Sequence, residues 1–328
     1  MEIVRVENLH KRFNLKSKIL KVNKGVIHAV NGVDFSIDKG KTLGLVGESG
    51  SGKSTTGRLL LRLLEPTEGK VYLEGTDIST INNREFRKIR KDIQMVFQNP
   101  YAALDYKMTI DDILTQPLHL HKIVSPLKYS KEVERLLHMV GLSNKDRKKF
   151  PHEFSGGQRQ RIGIARALST KPKFVVCDEP VSALDVSVQS QIINLLKTLQ
   201  RELDLSYLFI AHGLNVIRHM SDDVAVIYLG KIVEKGCSEM IFKNPKHPYT
   251  KALMSASPVP DPDIDHNRIP LKKEIPNGLN LPIGCVFNSR CPVKIDICEK
   301  ITPELIGDKH DQVACHLVKG ENSNVSSY

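Results

Sequence analysis

No apolar stretch in this 328-residue chain approaches the roughly 20 residues that a bilayer-crossing helix requires. A membrane-spanning role is therefore not expected. The opening Met1-Glu2-Ile3-Val4-Arg5 lacks the apolar core of a signal peptide, which argues against export and for the cytoplasm. Internal repeats and low-complexity tracts are missing too, so nothing points to a repeat array. What is present is ordinary for a globular protein: 40% hydrophobic residues and a length sufficient for about two domains. The formal net charge of +11 suits nucleic acid, or an anionic membrane face with a basic partner docked against it. Charge alone does not choose between them. The densest basic run, residues 84–91, reads as a solvated helix face.

Short β-branched runs at 3–6, 27–37, 42–46, 70–73, 93–97, 174–177, 207–211 and 224–229 alternate with helical stretches, the pattern of an α/β sheet. Between about 98 and 166 the strand signal fades, and Val133, Leu136, Leu137 and Val140 recur at a helical period, so a helical insert is expected there. Leu229-Gly230-Lys231-Ile232 reads as a tight hairpin turn. Beyond it, Asn244-Pro245-Lys246-His247-Pro248-Tyr249 and the proline-rich 258–262 mark a change of composition. The expected organisation is a first domain over 1–243 and a separate C-terminal extension over 244–328, with a frayed tail from 320.

Residues 47–55, Gly47-Glu48-Ser49-Gly50-Ser51-Gly52-Lys53-Ser54-Thr55, fill every fixed position of the P-loop pattern and follow the apolar run 42–46. Glycines let successive backbone N–H groups turn toward one anion, and the helix opening at Lys53 adds its positive dipole end. Lys53 should reach the β- and γ-phosphates of a nucleoside triphosphate, and Ser54 should ligate Mg²⁺. Further along, Phe174-Val175-Val176-Cys177 run into Asp178-Glu179, which places two carboxylates at the end of a buried strand. Asp178 suits the Mg²⁺ shell, and Glu179 suits a general base for the attacking water. His212 closes the 207–211 strand, where its imidazole would hold the γ-phosphate.

The most discriminating stretch is Phe154-Ser155-Gly156-Gly157-Gln158, which opens a second helix and so offers a second anion-binding helix N-terminus. With this stretch and the motifs before it in order, residues 1–240 strongly resemble the ATP-binding cassette family, a P-loop NTPase fold with a mixed sheet and a helical subdomain. The resemblance implies a head-to-tail dimer in which each ATP lies between one subunit's P-loop and the other's Ser155, Gly156, Gly157 and Gln158. It implies that Gln98 contacts Mg²⁺ and the attacking water, that Asp185 crosses the dimer interface, and that Phe13 stacks on adenine. Phe13 precedes a segment, 14–25, that looks inserted relative to shorter relatives, and a core position is the other reading of it. Phe154 stands where leucine is commoner.

The segments 244–250, 257–262, 284–292 and 314–317 resemble those of ATPase subunits of oligopeptide and dipeptide importers, and residues 98–105 look more like the F-type than the D-type subunit. Implied partners are a D-type ATPase subunit or a second copy, two transmembrane permease subunits gripped by the helical insert, and indirectly an extracytoplasmic binding protein. That places the chain peripherally on the cytoplasmic side of the membrane, with no nucleic-acid partner. The alternatives are a soluble cassette acting on DNA or ribosomes, although neither a long coiled coil nor a second cassette is visible, and an importer of a different small solute. Cys285, Cys291, Cys298 and Cys315 crowd the C-terminus at separations of five, six and sixteen residues. Thiolates at such irregular spacing can converge on one centre, and the resemblance implies a [4Fe–4S] cluster. Zinc, with His310 and His316 as further ligands, and unoccupied thiols or disulfides are the alternatives. Cys177 and Cys237 read as ordinary buried thiols.

Overall fold

The computed structural model describes residues 1–16, 23–256, 269, 278–279, 281–308 and 310–318. The centre of the inserted-looking segment, the proline-rich 258–262 and the tail from 320 lie outside the described residues. The strands are β1 (Glu2–Lys16), β2 (Asn23–Asp38), β3 (Thr42–Val46), β4 (Glu68–Leu73), β5 (Thr76–Asp77), β6 (Ile93–Val96), β7 (Phe174–Asp178), β8 (Ser206–Ala211), β9 (Asp223–Tyr228), β10 (Lys231–Cys237), β11 (Ile306–Asp308) and β12 (Asp311–Val313). The helices are α1 (Lys53–Leu60), α2 (Asn83–Ile89), α3 (Pro100–Ala103), α4 (Ile110–Leu120), α5 (Tyr129–Met139), α6 (Gly156–Leu168), α7 (Val186–Leu203), α8 (Leu214–Met220), α9 (Ser238–Lys243) and α10 (Pro248–Ser255).

Two sheets result, an antiparallel one in the order β2-β1-β4-β5 and a mixed one in the order β11-β12-β10-β9-β3-β8-β7-β6. Strands β9, β3, β8, β7 and β6 are mutually parallel. Their side chains alternate between two cores, which is why they read as continuous apolar runs. Leu43, Leu45, Val176, Leu208, Ile210, Ala225 and Ile227 join the core shared with the antiparallel sheet. Val175, Cys177, Tyr207, Phe209, Val224 and Val226 join the core shared with the helices. Between β6 and β7 no strand intervenes, and the helical insert is carried by α3 to α6; Val133, Leu136, Leu137 and Val140 are all fully buried in it. The β9–β10 connection is a two-residue turn with Leu229 at φ 45° and Gly230 at φ 76°, the doubly left-handed geometry that matches strand twist. Among the described residues no helix is long and apolar enough to cross a membrane.

Among the described residues, the C-terminal segment does not build a core of its own. Strand β12 pairs with β10, and Tyr249, Cys285, Phe287 and Cys298 enter the helix-side core. The composition change near residue 244 therefore marks a change of local structure within one packed body. Phe287 is fully buried, with ring centroids 5.2 Å from Tyr228, 5.3 Å from Tyr249 and 5.7 Å from His247. His247 accepts the Tyr249 N–H at Nδ1 and is only 1% exposed.

Burial lowers the His247 pKa from 6.5 to about 3. Above pH 6.5 the imidazole is neutral in both folded and unfolded chains, so its contribution is fully present. As pH falls from there toward about 3, the unfolded chain takes up a proton that the folded chain refuses, and stability is lost at about 1.4 kcal/mol per pH unit. His247→Asn, which keeps an acceptor for Tyr249, should flatten that acid limb relative to the parent in urea unfolding between pH 6.5 and 4.5; parallel limbs would contradict the assignment.

Candidate nucleotide site

Strand β3 runs directly into the loop 47–52. A Cβ at Gly47 would lie 2.2 Å from the Ile227 carbonyl oxygen. Gly52 has φ 107°, and a Cβ there would lie 2.3 Å from the Ala29 carbonyl oxygen. Both positions therefore require glycine on steric grounds. Ser49 and Gly50 face solvent, whereas Ser51 is buried and Ser54 and Thr55 are half-buried. Lys53, only 4% exposed, donates from Nζ to the carbonyls of Gly47 at 2.7 Å and Glu48 at 2.9 Å. Its pKa is lowered by burial and raised in opposition by Glu179, Asp178 and Glu48. The ammonium is thus set in a pocket of backbone oxygen with three carboxylates around it.

The parallel register brings the other groups to the same edge. Val46 pairs with Ala211, Ile210 with Asp178, and Cys177 with Val96. Residues one or two places beyond those strand ends, namely Gly47, His212, Glu179 and Gln98, therefore line one rim. Asp178 accepts the Ser54 hydroxyl at 2.8 Å. A hydroxyl and a buried carboxylate are the donors that Mg²⁺ takes when phosphates and water supply the rest, so the residues fit that ion. Glu179 accepts from Gln98 Nε2 at 2.7 Å through Oε2, and its Oε1 lies 2.6 Å from His212 Nε2. Its backbone sits at φ 49°, an uncommon conformation for a non-glycine residue, tied by its N–H to the Ile210 carbonyl at 2.9 Å.

Ser155 caps α6 reciprocally with Gln158: the Ser155 Oγ accepts the Gln158 N–H at 3.3 Å, and Gln158 Oε1 accepts the Ser155 N–H at 2.9 Å. Gly157 abuts α7, where a Cβ would lie 2.5 Å from Val188 Cγ1, and Gly156 faces Leu184. Asp185, at the N-cap position of α7, is exposed and makes no side-chain cap. Ser155, Gln158 and Asp185 are all exposed. Among the described residues no hydrogen bond or ion pair joins them to the loop 47–55. Phe13 lies in β1 opposite Ile27, half-buried, with the Lys11 ammonium 5.2 Å from its ring centroid. The bulkier Phe154 is buried beside the capping serine and points away from it into the helix-side core.

The expected metal centre is not formed by the C-terminal cysteines as they stand. All four are free thiols, and among the described residues no group of three or more His, Cys, Asp or Glu side chains is arranged to hold a metal ion. Burial pushes the Cys285 thiol up to about 11, with Cys298, Cys315 and Cys291 adding to the rise. His316 is engaged with the Ile301 carbonyl, and His310 lies 3.8 Å from Asp223.

Two residues that the motifs did not single out also reach the loop. Arg290 forms a two-pronged ion pair with the Glu48 carboxylate, and the Tyr249 hydroxyl accepts the Glu48 N–H. Glu48 therefore enters the site through its carbonyl, on Lys53, while its carboxylate is turned to the C-terminal residues. Arg290 is 242 positions away, a separation no local pattern can bridge; the only signal was the Asn-Pro-Lys-His-Pro-Tyr segment itself.

An ABC transporter profile matches residues 30–182, and a profile for the C-terminal region of oligopeptide/dipeptide transporters matches residues 233–298. The oligopeptide transport ATP-binding protein AppF of Bacillus subtilis is 48% identical over 96% of this chain and 97% of its own length. The chain belongs to the ABC transporter family. The putative oligopeptide transport ATP-binding protein YkfD of the same organism is 49% identical over 90% of this ABC chain and 91% of its own length. Two solved ABC structures share the fold. A dimeric ATP-binding cassette in a post-hydrolysis state with ADP and Pi is 28% identical, with TM-score 0.64, covering 72% of this chain and 98% of that one. The cbiO1 component of the cbiONQ ABC transporter from Clostridium perfringens is 25% identical, with TM-score 0.63, covering 74% and 91%.

For this ABC ATPase, Gly52→Ala forces a side chain onto the Ala29 carbonyl at the mouth of the phosphate loop. ATP affinity should fall about tenfold or more, since the loop must reshape to relieve the clash. Calorimetric titration that gave the parent affinity would show that the loop tolerates the intrusion.

Proposed function

We propose that the chain is the ATP-hydrolysing motor subunit of an ABC importer for di- or oligopeptides. The observation that carries the hydrolytic part is the Gln98–Glu179–His212 constellation beside Ser54 and Asp178. The peptide part rests on kinship, through the matched C-terminal region and the oligopeptide-transport relatives.

In this reading the loop 47–52 and Lys53 bind the triphosphate, and Ser54, Asp178 and Gln98 hold Mg²⁺, which supplies charge neutralisation at the phosphates. Phe13 offers the adenine a ring face. Glu179 takes the proton from the attacking water; Gln98 on one carboxylate oxygen and His212 on the other fix the direction of its lone pairs. The left-handed backbone at Glu179 is strain of the kind stored where a group must be aimed. Ser155, Gly156, Gly157, Gln158 and Asp185 complete the site of a second ATPase subunit, either a D-type companion or another copy; that no hydrogen bond or ion pair among the described residues joins them to the chain's own loop supports this. ATP-driven closure and post-hydrolysis opening of that pair would then move two permease subunits, from a peripheral position on the cytoplasmic face. Solute delivered by an extracytoplasmic binding protein would complete the cycle, and nucleic acid has no part in it.

A [4Fe–4S] cluster on Cys285, Cys291, Cys298 and Cys315 is the finer part of the proposal, supported by the proximity of the thiols and opposed by their present arrangement. Iron and acid-labile sulfide in anaerobically purified protein decide for it; zinc, or neither metal, decides against it.

Glu179→Gln should keep ATP affinity and lose turnover by about 10²–10⁴-fold, accumulating as an ATP-bound dimer. Phosphate release and size-exclusion measurements check this, and near-parent hydrolysis removes Glu179 from the role. Lys53→Ala should instead weaken ATP binding itself, by about tenfold or more. An undiminished affinity in that variant would break the assignment of the phosphate cradle.

A further inference from the structure

Among the described residues, the C-terminal segment grips the phosphate loop at Glu48 by two independent contacts. Arg290 Nη1 lies 2.6 Å from Glu48 Oε2 and Nη2 lies 3.1 Å from Oε1. The guanidinium side chain is 4% exposed and the carboxylate 25% exposed. The Tyr249 hydroxyl accepts the Glu48 backbone N–H at 2.9 Å. Tyr249 is itself pinned: its N–H donates to His247 Nδ1, and its ring lies against Tyr228 and Phe287. The N–H groups of Lys246 and His247 donate to the two oxygens of the buried Glu234 at 2.7 and 3.0 Å. The Asn-Pro-Lys-His-Pro-Tyr segment thus has a physical end point, the first residue after Gly47 in the loop.

Glu48 poses an electrostatic problem. It puts a carboxylate into the loop that receives a polyphosphate, and a free negative charge there opposes a bound anion. A bidentate guanidinium cancels that charge and holds it toward the C-terminal residues. The Glu48 carbonyl, which receives Lys53 Nζ, is fixed by the same grip. We propose that Arg290, assisted by Tyr249, is a positioning residue for ATP binding, neutralising Glu48 so that the loop accepts the triphosphate. The inference rests on the reading that residues 47–55 bind ATP.

The test is ATP affinity of the full chain, measured calorimetrically at two salt concentrations, for Arg290→Met, Glu48→Gln, the double variant and Tyr249→Phe. Arg290→Met should weaken ATP about tenfold at low salt and less at high salt, because an uncompensated charge is screened. Adding Glu48→Gln to Arg290→Met should recover most of the affinity that Arg290→Met loses, since no lone carboxylate then faces the phosphates; Glu48→Gln alone, which leaves the buried guanidinium unpaired, completes the double-mutant cycle. Tyr249→Phe should bind ATP about threefold more weakly with little change in urea unfolding. Parent affinity in Arg290→Met, or a double variant as weak as Arg290→Met alone, overturns the proposal, the second result leaving Arg290 a merely structural role. Should Arg290→Met fail to fold, Arg290→Lys takes its place: a single ammonium should restore charge without the two-pronged grip and give intermediate affinity. Parent affinity in both Arg290→Lys and Tyr249→Phe would then overturn it. A parent chain that binds ATP no better than Lys53→Ala would instead refute the underlying reading of the loop.

Discussion

The parallel alignment of β9, β3, β8, β7 and β6 is the constraint on which the site depends. Because all five strands point the same way, their C-terminal ends lie along one edge, and Gly47, Gln98, Glu179 and His212 sit one or two places past such ends. The strands are buried on both faces, so a slip of one residue would move every side chain into the opposite core and disrupt packing in both. The geometry of the site is therefore guarded by hydrophobic packing. The Glu179 carboxylate is held from β6 by Gln98 and from β8 by His212, a clamp that exists only while those strands flank β7.

A second dependence runs from the C-terminal residues back to the phosphate loop. Phe287 and Tyr249 insert into the helix-side core and carry Arg290 and the Tyr249 hydroxyl to Glu48. Loop backbones are ordinarily the mobile part of such sites. Here the loop is tied at Gly47 by the tight approach to Ile227, at Gly52 by the approach to Ala29, and at Glu48 by residues more than two hundred positions later. The aromatic cluster of Tyr228, Tyr249 and Phe287 is the mechanical link, with centroid separations of 4.7 to 5.3 Å.

Helix α6 follows a different logic. Its capping serine and glutamine satisfy each other's backbone groups, and Gly157 lies against Val188 of α7. Among the described residues no hydrogen bond ties this exposed helix start to the chain's own loop, which fits the proposed pairing of two ATPase subunits.

Eight strand runs, the helical insert and the nucleotide motifs were legible along the chain because each is a local pattern. Two-sided burial writes itself as continuous apolar runs, a 3.6-residue period writes itself at Val133, Leu136, Leu137 and Val140, and close backbone approach writes itself as glycine at 47 and 52. The short β11 and β12 left no such mark, since three residues at a sheet edge carry too little periodicity. Nor did the sharing of one core by residues on either side of position 244, which composition presented as a boundary. What the residues determined by themselves was the chemistry on offer: a phosphate loop, two carboxylates after a buried strand, an amide and an imidazole. Which of those groups touch, that the four C-terminal thiols gather without forming a ligand set, and that Arg290 answers Glu48 were decided by the tertiary structure alone, because contacts between distant segments arise from packing and leave no period in the chain.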